Sequence, residues 1–261
     1  MAFTLENLNY AVQYSQALAN MYPYLSRFNE IWNSPNSTTY KPVSGQTVMI
    51  PSISVSGARA VNRDQITGTF NRNFNNQYQP VTCKMYREWD TLIDPMDIIQ
   101  TDGVATIANA SRSFNEQQKV PEMDSYAAST MASFAANFGG VDSTVLTSSN
   151  ILEQWDSYIA YMTDQRVNRD RVVAYMTPAT YKLLKEAAGI TRFIDAGTGI
   201  RNVDRNVGKL DGVAIKEVTA DLMLTAYDYT QGYVPQAGAS QINMLLVDPM
   251  AVVAPIVYDV A

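Results

Sequence analysis

The stretch RVVAYMTPATYKLLKEAAG, residues 171–189, has a polar residue where an apolar strand meets a helix. Many α/β enzymes carry a reactive side chain at such a junction, and Thr177 occupies it here. The same residues are typical of a helix start, because threonine caps a helix N-terminus and Pro178 fits the first helical position. Gly189 is suited to end the helix. The junction therefore predicts a strand followed by a capped helix, and no chemistry is needed to explain it.

Two further stretches have residue types that could bind a cofactor or a metal. In AGTGIRNVDRNVG, Gly197 and Gly199 imitate a dinucleotide-binding loop, but Asn202 stands where a third glycine is required and no strand directly precedes the loop. In DPMD, Asp94 and Asp97 could form a metal-binding carboxylate pair, although the proline between them favours a turn followed by a helix. We interpret these stretches as a glycine-containing loop and a helix start, and we expect no cofactor and no metal.

The sequence contains no histidine, which excludes whole classes of enzyme site. Ser-His-Asp and Cys-His catalytic arrangements, histidine-containing zinc sites and the facial triad of non-haem iron all need that residue. The single cysteine, Cys83, excludes an internal disulfide and a thiolate cluster. We expect a protein that is not an enzyme. The alternative that stays open is an α/β enzyme acting through carboxylates near Asp94, Asp97 or Asp195.

The composition predicts a folded globular chain with a sizeable core, since 46% of the 261 residues are hydrophobic and 17% are charged. The net charge is −6, and the basic residues are scattered, so no basic footprint for sequence-specific nucleic-acid binding is visible. Neither a secretory signal nor a membrane-spanning run is recognisable. We therefore expect a soluble protein made in a cytoplasm.

The first half of the chain predicts extended structure that reaches beyond a compact core. An amphipathic helix is predicted over residues 5–22, and an arm, NSPNSTTYKPVSG, follows. TVMIPSISVSG reads as a strand with Pro51 inside it, which marks an edge, and VTCKMYREW as its return partner. The polar stretch between them, Gly57 to Pro80, is too long for an ordinary turn and is typical of a segment that contacts something else. Residue types enriched at interfaces lie in it: Arg59, Arg63, Phe70, Arg72, Phe74 and Tyr78.

The second half predicts a long helix followed by a mixed α/β lobe. Pro121 suits the first turn of a helix whose apolar face runs to Gly139 and Gly140. That face comprises Met123, Tyr126, Ala127, Thr130, Met131, Phe134 and Phe138. A helix near 148–165, the strand–Thr-Pro–helix unit and the strands GVAIKEV and INMLLV come next. The fold class predicted is mixed α+β.

The order of these parts resembles the major capsid proteins of tailed bacteriophages, which have the Hong Kong 97-type fold. The phrases that carry the resemblance are GQTVMIPSISVSG followed by REWDTLIDPMD, then KVPEMDSYAAS, RVVAYMTPATYKLLK, VGKLDGVAIKEV and INMLLVDPMAVVAP. The resemblance implies an N-terminal arm (1–40), an extended hairpin or E-loop (41–92), a P-domain with a spine helix (93–139, spine 121–138), an A-domain (140–240) and C-terminal strands returning to the P-domain (241–261).

The resemblance also implies a function: a structural protein of the virion that self-assembles as pentamers and hexamers into an icosahedral shell enclosing double-stranded DNA. Its partners would be further copies of itself and possible portal, scaffold or decoration proteins, with no membrane involved. The E-loop would lie over the adjacent subunit, and Arg201 and Arg205 would lie near a capsomer centre. The tip from Gly57 to Pro80 contains no lysine, so we expect a shell without isopeptide cross-links. An encapsulin-like nanocompartment shell protein is the alternative within the same fold.

Overall fold

The structure, a computed structural model, describes residues 25–38, 41–44, 47–58, 74–100, 106–187, 194–195, 202–203 and 207–255. It forms two compact units: one comprises residues up to 30 with 91–251, and the other comprises 31–90 with 252–260. We refer to them as the larger and the smaller unit. The fold class is mixed α+β, as the sequence predicts.

The helices and strands follow one another in a simple order. The α-helices are α1 (Asn29–Trp32), α2 (Pro95–Gln100), α3 (Ile107–Phe114), α4 (Val120–Asn137), α5 (Ile151–Asp164) and α6 (Pro178–Glu186). The strands are β1 (Lys41–Ser44), β2 (Thr47–Val55), β3 (Phe74–Thr82), β4 (Val173–Met176), β5 (Ile194–Asp195), β6 (Asn202–Val203), β7 (Lys209–Leu210), β8 (Val213–Glu217), β9 (Tyr227–Asp228), β10 (Val234–Pro235) and β11 (Met244–Val247). Short 3-10 turns lie at Pro35–Thr38, Arg169–Arg171, Ala220–Leu222 and Pro249–Ala251.

The smaller unit is built on a three-stranded antiparallel sheet in the order β1-β2-β3. All nine residues of β2 pair with β3, from Thr47 opposite Thr82 to Val55 opposite Phe74. The predicted strand at 47–57 is therefore confirmed as far as Val55. Its predicted return partner at 81–89 is wrong beyond Val81 and Thr82, because residues 83–90 are not in a strand. The partner that satisfies the backbone of β2 is the polar run FNNQYQPVT, whose exposed side chains need no hydrophobic alternation.

The larger unit contains a four-stranded sheet in the order β11-β4-β8-β7, in which β4 and β8 are parallel. Helices α5 and α6 cover one face of this sheet. Their core joins Trp155 and Leu184 to Ala174, Met176 and Val213 of the sheet, all fully buried. The predicted unit of strand, Thr177 cap and helix is confirmed, since Thr177 Oγ1 accepts a hydrogen bond from Thr180 N at 3.4 Å.

Helix α4 does not begin at Pro121, as the sequence suggests, but continues a longer helical rod. Residues 107–114 lead through a π-helical segment, Asn115–Lys119, directly into α4. Within this segment Val120 N donates to Asn115 O, a bond that spans five residues. Proline has no N–H and clashes with the carbonyl four residues earlier, so a widened turn just before Pro121 lets the helix pass through it. Pro121 therefore lies near the start of α4, but within a longer helical segment and not at a free helix end.

Candidate interaction surface

The smaller unit presents an apolar sheet face to solvent on the hairpin of β2 and β3. Directly opposite residues of an antiparallel pair point to the same side, so the register assigns every side chain of the hairpin to one of two faces. One face carries Met49, Pro51, Ile53, Val55, Phe74, Tyr78 and Pro80, together with Asn76 and the terminal pair Thr47 and Thr82. We call this set the hairpin face. The exposed fractions of Ile53 and Val55 are 68% and 73%.

The opposite side of the same hairpin is mostly polar. It pairs Ser54 with Asn75 and Ser52 with Gln77, and becomes more apolar towards its base, where Ile50 lies opposite Gln79 and the fully buried Val48 lies opposite Val81. The usual arrangement of a two-sided strand pair directs the apolar side chains inward, yet here the apolar side chains Ile53, Val55 and Tyr78 are open to solvent. An apolar sheet face left in water marks a surface that something else covers.

Two of the eight predicted contact residues lie on the hairpin face. Phe74 and Tyr78 belong to β3 and are 54% and 53% exposed, respectively. The other six, Arg59, Arg63, Phe70, Arg72, Arg201 and Arg205, lie outside the described residues. Sequence reasoning assigned Ile53 to an alternating strand but did not count it among the contact residues. The signal that identifies it is the pairing register, which requires the correct return strand.

A second apolar patch lies on the larger unit, at the end of α4 and just beyond it. Phe134 and Phe138 are 65% and 69% exposed, and their ring centroids lie 4.6 Å apart. Val141 and Val145, which follow in the chain, are also exposed apolar side chains. We call these four residues the α4 patch. Its two phenylalanines belong to the predicted apolar stripe.

The predicted stripe coincides only in part with the side of α4 that the subunit buries. The buried residues of α4 are Pro121, Asp124, Ser125, Ala127, Ala128 and Ser129. Only Ala127 belongs to both sets, whereas Thr130, Phe134 and Phe138 are exposed. Small and polar side chains allow other segments to approach the helix closely and to hydrogen-bond with it. The large apolar side chains at its C-terminal end remain available at the surface.

One of the residues with possible enzyme chemistry, Asp94, takes part in a local structural contact. Asp94 Oδ1 accepts a hydrogen bond from Met96 N at 2.9 Å, which caps α2. The side chains of Asp97 and Asp195, and the whole of residues 196–201, lie outside what is described. In the described part of the chain, no group of three or more acidic or cysteine side chains could hold a metal ion.

Asp142 and Tyr158 form a hydrogen-bonded pair in which the pKa of each group is shifted. Tyr158 OH donates to Asp142 Oδ2 at 3.0 Å, and Thr144 donates to Oδ1 through both its backbone N–H and its hydroxyl. The hydrogen bonds from Thr144 are the main cause that lowers the pKa of Asp142. Partial burial, followed by the bond to Asp142, raises the pKa of Tyr158 to about 12. This arrangement ties the loop before α5 to the helix.

Comparison with models of known protein families found no match for this chain, and comparison with curated proteins found none. In the described ranges, no helix is long and apolar enough to cross a membrane.

Proposed function

We propose that the chain is a shell-forming structural protein, the major capsid protein of a tailed bacteriophage with the Hong Kong 97-type fold. In this proposal, copies of the chain assemble as pentamers and hexamers into an icosahedral virion shell that encloses double-stranded DNA. The order of elements supports it: the hairpin of β2 and β3 is followed by the helical rod 107–137 and then by the mixed lobe around β4 and β8.

The observation that carries the proposal is the exposed hairpin face. Burying one Val, Ile or Phe side chain contributes roughly 1.5–3 kcal/mol, so a face with several of them stabilises an assembly far more than it helps an isolated subunit. Ile53, Val55 and Tyr78 are each more than half exposed. A face of this kind on an edge hairpin is a liability for a monomer, because unpaired apolar edges promote association.

The α4 patch offers a surface of matching chemistry on a neighbouring copy. A contact between two different surfaces of identical subunits is heterologous. Such contacts close into a ring when the rotation that relates neighbouring copies is a whole-number fraction of a full turn. Five-fold and six-fold rings are the building blocks of an icosahedral shell. The overall charge of −6 also suits a container that encloses DNA without adhering tightly to it.

The proposal is tested by expressing the chain in bacteria and analysing the product by size-exclusion chromatography and negative-stain electron microscopy. We expect rings, tubes or closed shells, formed by the chain alone or with the proteins encoded beside its gene. A monodisperse monomer under both conditions would contradict the proposal and favour the carboxylate-dependent enzyme. Shells that enclose a protein cargo in place of DNA would favour the encapsulin-like alternative.

A pair of variants on one strand separates a specific contact from a general effect of charge. Ile53→Asp with Val55→Asp adds two carboxylates to the hairpin face, and we expect it to abolish assembly. Ser52→Asp with Ser54→Asp adds the same charge to the same strand on the opposite face. This control variant should still assemble. Equal loss in both variants would show that the hairpin face is not the contact.

A further inference from the structure

Residues 26–30 run across the larger unit and contact three of its elements. Ser26 Oγ donates to Asp124 Oδ1 at 2.8 Å, and Arg27 N donates to Asp124 Oδ2 at 2.9 Å, so that both carboxylate oxygens of a residue on α4 receive hydrogen bonds from this segment. Asp124 is completely buried. A buried carboxylate is costly unless it is hydrogen-bonded, so these two bonds tie the segment to the helix strongly.

The next residues of the segment cover the sheet. The ring centroid of Phe28 lies 4.3 Å from that of Tyr175 on β4, and both side chains are fully buried. Tyr175 is the register partner of Lys216 on β8, and Glu30 forms an ion pair with Lys216. Tyr175 alternates with the core residues Ala174 and Met176, so it lies on the sheet face opposite the one covered by α5 and α6. The segment therefore covers the second face of the sheet.

The attachment also contains unsatisfied groups. The hydroxyl of Tyr175 and one carboxylate oxygen of Glu30 are buried without a well-formed hydrogen bond in the described part of the chain. Burial raises the pKa of Tyr175, the negative charges of Glu30 and Asp124 raise it further, and a hydrogen-bonding contact with the Glu30 side chain adds to the rise, so these two groups face each other without good hydrogen-bond geometry. Buried polar atoms without partners reduce the net stability of a contact. The segment is thus held at Asp124 and Phe28 but is not bound as firmly as its burial alone would suggest.

We propose that Ser26–Glu30 is an anchor of the chain on the larger unit, with Asp124 as its receptor, and that it can open without unfolding the sheet. The link of this inference to assembly rests on the proposed function, because an opened Ser26–Glu30 segment would be free to contact a neighbouring copy. Opening it is expected to change how copies assemble, while the subunit itself stays folded.

Trypsin tests the anchor directly in the full-length chain. Arg27 has an exposed side chain, but Phe28 after it is buried, so cleavage between them requires the segment to lift off the sheet. Asp124→Asn keeps the size of the side chain but removes its charge and leaves one acceptor oxygen in place of two. We expect cleavage after Arg27 to accelerate about tenfold or more, because a charge-assisted hydrogen bond is lost and opening is a local equilibrium. Ser26→Ala should give a smaller increase without changing the buried carboxylate.

The control is Asp156→Asn, which removes the same charge from an exposed position on α5 and should leave the cleavage rate unchanged. Hydrogen exchange of the peptide 171–187 shows whether the sheet stays closed. A wild-type cleavage rate in both Asp124→Asn and Ser26→Ala would overturn the anchor. Exchange in 171–187 that rises together with cleavage in both variants would also overturn it, since opening would then be unfolding.

Assembly of the same variants tests the second part of the inference. If wild-type protein forms shells, we expect Asp124→Asn to form fewer shells or shells of altered size. Wild-type shells from a variant whose anchor is demonstrably open would overturn the link to assembly. If the wild-type chain forms no assembly, the proposed function fails while the cleavage experiment still judges the anchor, so the two failures are distinguishable.

Discussion

The indole Nε1 of Trp155 donates a hydrogen bond to Asp211 Oδ2 at 3.0 Å, which ties the core helix α5 to the turn between β7 and β8. Trp155 is fully buried in the core of the larger unit. Asp211 has a φ of 51° and Gly212 a φ of 87°, the combination that a two-residue hairpin turn requires. One residue therefore both shapes the turn and satisfies the buried indole.

Replacing Asp211 by Ala is expected to reduce the free energy of unfolding by about 2–4 kcal/mol. The change leaves the Trp155 N–H buried without its acceptor and puts alanine at a positive φ. Urea denaturation measures the loss. Asp211→Asn keeps an acceptor oxygen and tolerates the left-handed conformation, so it should lose much less stability. Equal losses in the two variants would contradict this role.

Gly212 is needed for its backbone conformation. Lack of space is not the reason, because a larger side chain would fit there. A Cβ added there would lie 3.5 Å from Asp170 Oδ1, an ordinary van der Waals distance. We expect Gly212→Ala to cost about 1–2 kcal/mol of stability through the positive φ alone. Gly57→Ala is the matched control because a Cβ there meets nothing within 4 Å and no positive φ applies. A thermal melt of both variants measures the difference.

The Tyr158 phenol should give the protein a distinct alkaline transition. Its pKa is raised to about 12, first by burial and then by the bond to Asp142, so the folded state favours the neutral phenol. An ordinary tyrosine titrates near pH 10, so this contribution to stability is complete below about pH 10 and is lost as the pH rises towards about 12. Phenolate absorbance of wild type against Tyr158→Phe isolates the titration. Asp142→Asn should lower the midpoint but leave it above the ordinary value, because burial is the larger cause.

Local signals in the sequence predict the parts of the fold that depend on neighbouring residues. Thr177 and Pro178 specify a helix start by their own backbone chemistry, and the structure has the helix there. The return strand could not be found in the same way, because the polar residues Asn75 to Gln79 acquire strand structure only by pairing with β2. The same holds for Asp124, which reads as an ordinary first-turn acid until Ser26 is brought to it across 98 positions of the chain.

The part of the candidate surface that could be predicted is likewise the part with a local signature. Aromatic side chains in a polar stretch indicated an interface at Phe74 and Tyr78. The sequence predicts that the phenylalanines of α4 belong to an apolar face, but helical periodicity does not say whether the same subunit covers that face. Only the packing of Ala128 and Ser129 reveals that a different side of α4 faces inward.

A further prediction concerns the arginines of the polar stretch from Gly57 to Pro80. We expect the triple variant Arg59→Ala, Arg63→Ala, Arg72→Ala to impair assembly while the subunit keeps its cooperative unfolding transition, since arginine contributes to interfaces more than to folding cores. Sedimentation and circular dichroism report the two properties separately. Shells of wild-type yield and size from this variant would remove the stretch from the interface.

The most direct test of the central claim is a cross-link between copies from the hairpin face. Tyr78 is replaced by a benzophenone-bearing amino acid, and heavy-nitrogen-labelled and unlabelled chains are mixed before assembly and irradiation. The proposed shell predicts mixed-isotope cross-links from position 78, with the α4 patch around Phe134 and Phe138 as the expected target; the same label at Gln77, on the opposite face, should give few. Cross-links confined to single chains, or equal yields from positions 77 and 78, would contradict the claim that a neighbouring copy covers this face.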